Sequence, residues 1–364
     1  MKRVALLILS IFTLSFFNTG CAQKKSEELR IIMPPPPEEP KIFYIGSYRG
    51  EADFKETKVL DALIGEEQKG VGRNLYKPYG VAANKGIMYV TDTAMGLIFV
   101  IDTTLKKVTF IGDRPPGKLA LPVSIAIGRD DTIFVSDAKL KRVFGYRKNG
   151  SLFFALGEKG EFRRPSGIAI NRKLNRIYVV DTKSHNVKVY DLNKAELLFE
   201  FGKRGIEEGE FNFPTNIAVD RNNGNVAVVD TQNFRVQIFD QDGNFLSKFG
   251  RLGDKPGMFA RPKGVGIDSE SHLYISDAAF NNVQIFDDKG NILLYFGGAG
   301  FEPSKFYLPA GVYVDDEDKI YIVDSFNARV QVYQYVSERW KKEHPDEYRK
   351  LKEFEPETKD ESSN

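Results

Sequence analysis

Residues 214–250 read PTNIAVDRNNGNVAVVDTQNFRVQIFDQDGNFLSKFG, and the fold follows from that run. In Arg235-Val236-Gln237-Ile238 polar and apolar residues alternate, the period of a strand with one face buried. Arg221-Asn222-Asn223-Gly224 and Gln241-Asp242-Gly243-Asn244 supply the positive φ that tight turns between strands need, as does Asp288-Lys289-Gly290-Asn291 further on. The pattern recurs six times. The first copy opens at Lys77-Pro78-Tyr79-Gly80-Val81 and the others at Pro122, Pro165, Pro214, Pro262 and Pro309. They reach Asp92, Asp137, Asp181, Asp230, Asp277 and Asp324, at separations of 45, 44, 49, 47 and 47 residues. Six residues after each Asp comes an aliphatic, and nine after it a bulky apolar residue. Twenty or twenty-one after the first five comes a glycine behind an apolar residue, as in Phe201-Gly202 and Phe249-Gly250.

Each unit reads as four short strands unable to bury both faces alone. Six of them packed radially make an all-β, six-bladed β-propeller of four-stranded blades over 41–336. The sixth unit lacks its apolar–glycine pair, because residues 337–364 are a highly charged tail in which Pro345 would interrupt a helix. Leu60-Asp61-Ala62-Leu63-Ile64-Gly65 restores it at the other end, 27 residues before Asp92. The last blade is therefore expected to be closed by an N-terminal strand at about 58–65, leaving no open edge.

The runs beginning Pro-x-Gly-Ile-Ala-Val-Asp, then Ile-Tyr-Val-x-Asp, Asn-x-Arg-Val-Gln-Val-Phe-Asp and Gly-Asn-Phe-Leu-x-x-Phe-Gly closely resemble the NHL-repeat family of β-propellers. The fullest copies are Pro214 to Gly250 and Pro309 to Tyr333, whereas Met95-Gly96-Leu97 departs from the pattern in the first. The resemblance spans about three-quarters of the chain. It implies the fold and not one activity, since relatives include interaction modules, RNA binders and a few enzymes.

The 364 residues carry 52 basic and 50 acidic side chains. Residues 1–20 have the basic start (Lys2, Arg3), apolar run and small residues of a signal peptide, and resemble a bacterial lipoprotein leader ending before Cys21, the single cysteine. Removing Lys2 and Arg3 leaves 50 of each sign. A neutral mature chain lacks the basic footprint of nucleic-acid binding, although residues 41–336 come to about +3 once the tether (−1) and tail (−2) are set aside. One cysteine excludes internal disulfides and paired-cysteine metal sites. Residues 21–40 end in a proline run and read as a stiff tether. The resemblance implies lipidation at Cys21 and an extracytoplasmic address, and Ala22 in place of Asp favours the outer membrane of a Gram-negative bacterium.

Two repeated positions read as structural. Asp92, Asp137, Asp181, Asp230, Asp277 and Asp324 suit turn capping better than a ring of carboxylates for cations. The resemblance implies that the residue five after each, including Arg235 and Arg329, bridges neighbouring blades. The long connections between blades hold the candidate partner-binding residues: Arg163, Arg164, Lys203, Arg204, Phe213, Arg251, Arg261, Lys263 and Tyr307. Phe162, Phe211, Phe259 and Phe306 keep one distance from the repeat Pro and so are read as core. His185 and His272 fall on opposite faces by register, which argues against a shared zinc ion. No catalytic residue and no required cofactor is identified. The reading is a membrane-anchored scaffold that docks a protein or envelope partner through its blade connections. The alternative is a hydrolase or lyase assisted by calcium in the central channel.

Overall fold

The computed structural model describes residues 31–35, 37–54, 72–157 and 160–354. Six antiparallel sheets form the ring, each with its first strand innermost; five end at their fourth strand, and the sixth takes two strands from the N-terminal region. Blade 4 is typical: Asn216–Val219, Val226–Asp230, Arg235–Phe239 and Phe245–Phe249. Its two middle strands are buried at every residue, while the outer strand alternates exposed and half-buried positions. Six first strands share the axis of the ring, so their backbones come very close. A Cβ on Gly264 would lie 2.2 Å from the carbonyl of Ala310 in the next blade. Blade 6 meets blade 1 in the same way, with Gly311 against the Tyr79 carbonyl.

Hydroxyl groups latch each of the first five blades to the next. Thr91 donates to the Val123 carbonyl (3.0 Å), Thr182 to Pro214 (2.7 Å), Thr231 to Pro262 (2.9 Å) and Ser276 to Ala310 (2.6 Å). Ser136 makes the equivalent bond to Ser166. Outward from the axis, Phe162, Phe211, Phe259 and Phe306 are buried between blades, with Leu75 and Leu119 in the corresponding places of blades 1 and 2. The apolar–glycine pair exists to seat this plug. Gly202 has φ of +88°, and a Cβ there would stand 2.3 Å from the Phe211 ring.

The ring is closed from the N-terminus, by a segment other than 58–65. Strand β1 (Ile32–Met33) pairs with β2 (Ile42–Tyr48), and β2 pairs with Arg329–Tyr335, the third strand of blade 6. Residues 58–65 lie outside the described residues. Residues 42–48 end 44 residues before Asp92 and so lie outside the repeat spacing, but pairing selects the segment with the right faces. Ile42 is wholly buried opposite Tyr335, and the Tyr44 ring packs edge-to-face on Tyr333 at 5.4 Å.

Two expectations about the termini change with it. Part of the Pro-rich tether, 21–40, joins the sheet as β1, with Ile32 buried. The start of the charged tail folds as α1 (Glu338–Glu343) and α2 (Pro345–Lys352). Pro345 opens the second helix, because the first turn has no intrahelical use for the missing N–H. Trp340 and Leu351 are buried against Ile32 and Val336, with Phe43 beside them. Among the described residues no helix is long and apolar enough to cross a membrane.

Candidate functional site

Antiparallel blades have two ends. One carries the connections between blades and the turns between second and third strands; we call it the connection face. The repeat aspartates organise that face from beneath. Asp92 Oδ1 accepts the Ala94 and Met95 N–H groups of its own turn, while Oδ2 accepts Tyr76 and Lys77 N–H at 2.7 and 2.9 Å. Asp137 and Asp277 repeat both sets of bonds. Asp181 accepts from Arg163 and Arg164, both at 2.7 Å. In blades 4 and 6 a buried arginine joins in. Arg235 bonds Asp230 and the carbonyls of Glu207 and Glu210, and Arg329 bonds Asp324 and the carbonyls of Phe301, Glu302 and Lys305. Each carboxylate thus ties a turn to the connection entering its blade. Asn186, Asn282, Leu97 and the exposed Arg142 hold the equivalent place elsewhere without such an ion pair.

The nine candidate residues fall into separate groups. Arg164, Phe213 and Lys263 line a cavity of about 350 Å3 at the mouth of the central channel, together with Lys77, Tyr79, Leu121 and the hydroxyls of Thr182, Thr215 and Thr231. Arg261 stands beside Lys263. Burial, then Arg261 and Arg164, pushes the Lys263 ammonium down to about 8. Burial raises the Tyr79 phenol, with the same two arginines pulling the other way. Arg163 and the far side of Phe213 line a neighbouring depression of about 490 Å3 with Lys141, Lys183 and His185. The Phe213 N–H donates to His185 Nδ1 at 3.2 Å, and their rings pack at 4.5 Å. Lys203, Arg204 and Arg251 follow the outermost strands of blades 3 and 4 and are not among the residues lining the mouth; Lys203 pairs with Glu210 at 3.3 Å. Tyr307 lies in blade 6 between Phe301 and Phe326, at 5.1 and 5.7 Å, and those two rings are about two-thirds exposed.

Below the mouth, the channel narrows to a cavity of about 250 Å3 walled by aliphatics such as Val81, Ile125, Ile168, Ile217, Val265 and Val312. Among the described residues no group of three His, Cys, Asp or Glu could hold a metal ion, and the wall gives the calcium alternative no carboxylate cluster. His272 lies at the reverse face, 3.0 Å from Asp268, far along the chain fold from His185. On that reverse face two of the channel cations meet a carboxylate: Arg172 (3.2 Å) and Arg221 share Asp316, while Lys173 lines the same cavity with no ion pair among the described residues. At the connection-face mouth, by contrast, Lys77, Arg164, Arg261 and Lys263 form no ion pair among the described residues.

Three stretches, 162–190, 211–239 and 306–333, match the NHL repeat; they are the copies of blades 3, 4 and 6. The chain is thus a six-bladed β-propeller that carries NHL repeats. Similar solved structures share the fold at low identity. One is a structural genomics protein of unknown function from Bacteroides thetaiotaomicron, at 16% identity and TM-score 0.59 over 74% of this chain and 72% of that one. Another, described as an auxiliary nutrient binding protein from the same organism, is 13% identical with TM-score 0.57, covering 72% and 70%. Virginiamycin B lyase from Staphylococcus aureus is 14% identical with TM-score 0.52, covering 71% and 94%. No curated protein matches the chain in sequence.

Proposed function

We propose that this propeller is a lipid-anchored, extracytoplasmic binding module that docks a protein or cell-envelope partner on its connection face. The observation that carries the reading is the difference between the two ends of the ring. At the connection-face mouth Lys77, Arg164, Arg261 and Lys263 form no ion pair among the described residues, whereas Arg172 and Arg221 on the reverse face share Asp316. Exposed rings add to it: Tyr76, Phe301 and Phe326 are each more than 60% exposed on the same face. Aromatic and arginine side chains supply most of the binding energy where proteins meet. That a similar fold is described as nutrient binding is consistent with a binding role. The anchor rests on Cys21 behind its apolar run.

Two experiments test it. The full chain is extracted from its own membranes in mild detergent after cross-linking, as wild type and as Arg204→Glu with Arg251→Glu. A stoichiometric partner lost in the double variant supports docking here, and an unchanged partner overturns it. For the anchor, Cys21→Ser is expected to abolish fatty-acid labelling and release the protein from membranes; an unlabelled wild type contradicts it.

A further inference from the structure

The residue immediately before each repeat Pro follows a pattern around the ring: Lys77, Leu121, Arg164, Phe213, Arg261, Leu308. Cations occupy blades 1, 3 and 5, and apolar residues occupy blades 2, 4 and 6. Each position sits where the connection turns into the innermost strand, so the six surround the channel mouth. Lys263, two residues after Arg261, adds a fourth cation inside this rim.

Their placement is fixed by the fold. Asp92, Asp181 and Asp277 grip the backbone N–H of Lys77, Arg164 and Arg261 themselves, at 2.9, 2.7 and 3.0 Å. All three carboxylates are buried and engaged with backbone donors; Lys77 and Arg164 line the cavity, and the exposed Arg261 stands beside Lys263 at its edge. Like charges gathered at a half-buried site oppose folding, and groups perturbed in this way concentrate at functional sites. At the reverse mouth Asp316 between Arg172 and Arg221 relieves part of that repulsion; no carboxylate pairs with the cations of this one among the described residues.

We propose that the channel mouth on the connection face binds a small anion carrying two or three negative groups, held by Lys77, Arg164, Arg261 and Lys263. The inference rests on the reading of this face as the binding face and names a ligand class for it. Arginine forks take carboxylate or phosphate oxygens in pairs. Thr182, Thr215 and Thr231 line the same cavity with their hydroxyl protons engaged in blade-to-blade bonds, so the cations are its free donors, and Leu121 and Phe213 offer apolar sectors between the charged ones. A volume of about 350 Å3 suits a small molecule. Alternate placement around the ring suits charges on separate arms of one ligand better than a single monoanion.

Calorimetry on the full-length protein in mild detergent tests this, with citrate and pyrophosphate as separate probes at low ionic strength. The expected result is one-to-one binding of at least one, the preferred probe distinguishing carboxylate from phosphate chemistry. Affinity should fall at least tenfold in Arg164→Gln and in Lys77→Gln, two exposed sites whose replacement leaves the fold's melting transition in place, and stay within twofold in Arg172→Gln on the reverse face. No binding heat from either probe at millimolar concentration overturns the inference. So does affinity that survives both connection-face variants, or that falls equally in Arg172→Gln. Partner capture by Arg204→Glu with Arg251→Glu is read on the same preparations. Capture lost in that variant with no anion binding by the wild type removes this site and leaves the docking reading intact. Anion binding with capture unchanged does the reverse.

Discussion

A half-buried ammonium with two guanidinium neighbours works against the structure that holds it. Lys263 is held down to about 8, first by burial and then by Arg261 and Arg164. Below pH 8 it is protonated folded and unfolded, and the full penalty is present. Between pH 8 and its ordinary value of 10.5 the folded state has lost the proton that the unfolded state keeps, so stability from this group rises with pH. Lys263→Met should therefore be more stable than wild type at pH 7, on the order of 1 kcal/mol after solvent screening. The gap should close by about pH 10.5, as read by urea unfolding at both pH values; a less stable variant at pH 7 would contradict the assignment. Asp324 is the opposite case. It bonds Arg329, Asn327 and the Tyr307 N–H, and Arg329 is almost fully buried. Asp324→Ala leaves that guanidinium uncompensated and should cost about 3–5 kcal/mol in thermal or urea unfolding, against which a loss below 1 kcal/mol would count.

At the level of elements, β2 and the two C-terminal helices decide whether the ring behaves as one unit. Ile42 lies in the strand that closes blade 6 and is fully buried. Ile42→Ala should cost about 2–4 kcal/mol while the other five blades keep their strands, measured by chemical unfolding and circular dichroism. Trp340, the single tryptophan, packs at 5.5 Å from Phe43 and stacks on His344 at 4.9 Å. Its fluorescence should shift to the red in the same transition that unfolds the blades. An earlier, separate shift would mean that the helices undock alone. Closure from the N-terminus was readable from the missing pair in the sixth repeat, but which strand closes it was not. Leu60 to Gly65 keeps the repeat spacing, whereas the pairing is selected by Ile42 and Tyr44 meeting Tyr335 and Tyr333. The helices escaped notice because Trp340 and Leu351 bury their side chains on Ile32 and Val336, partners distant in sequence, and charge dominates the segment's composition.

For the molecule as a whole, repetition made the ring legible: proline, glycine and aspartate recur where backbones must cross, plugs must seat and turns must be capped. The connection face was legible only as a set of loops. Its cations hold the position before the repeat Pro in only three of the six copies, and the alternation of Lys77, Arg164 and Arg261 with Leu121, Phe213 and Leu308 acquires meaning only when six strands are brought to one axis. Mouth cations without a carboxylate at one end, and two arginines sharing Asp316 at the other, give the ring a direction. Association through the connection face should weaken steeply as ionic strength rises, whereas substitutions around Arg172 and Arg221 should leave it unchanged. The most direct measurement is native mass spectrometry of the full-length chain taken from its own membranes, comparing wild type, Arg204→Glu with Arg251→Glu, and Arg172→Gln. A second polypeptide carried by wild type and Arg172→Gln but missing from the double variant is the predicted result. A bare chain in all three, or a partner that survives the charge reversal, would contradict docking on this face.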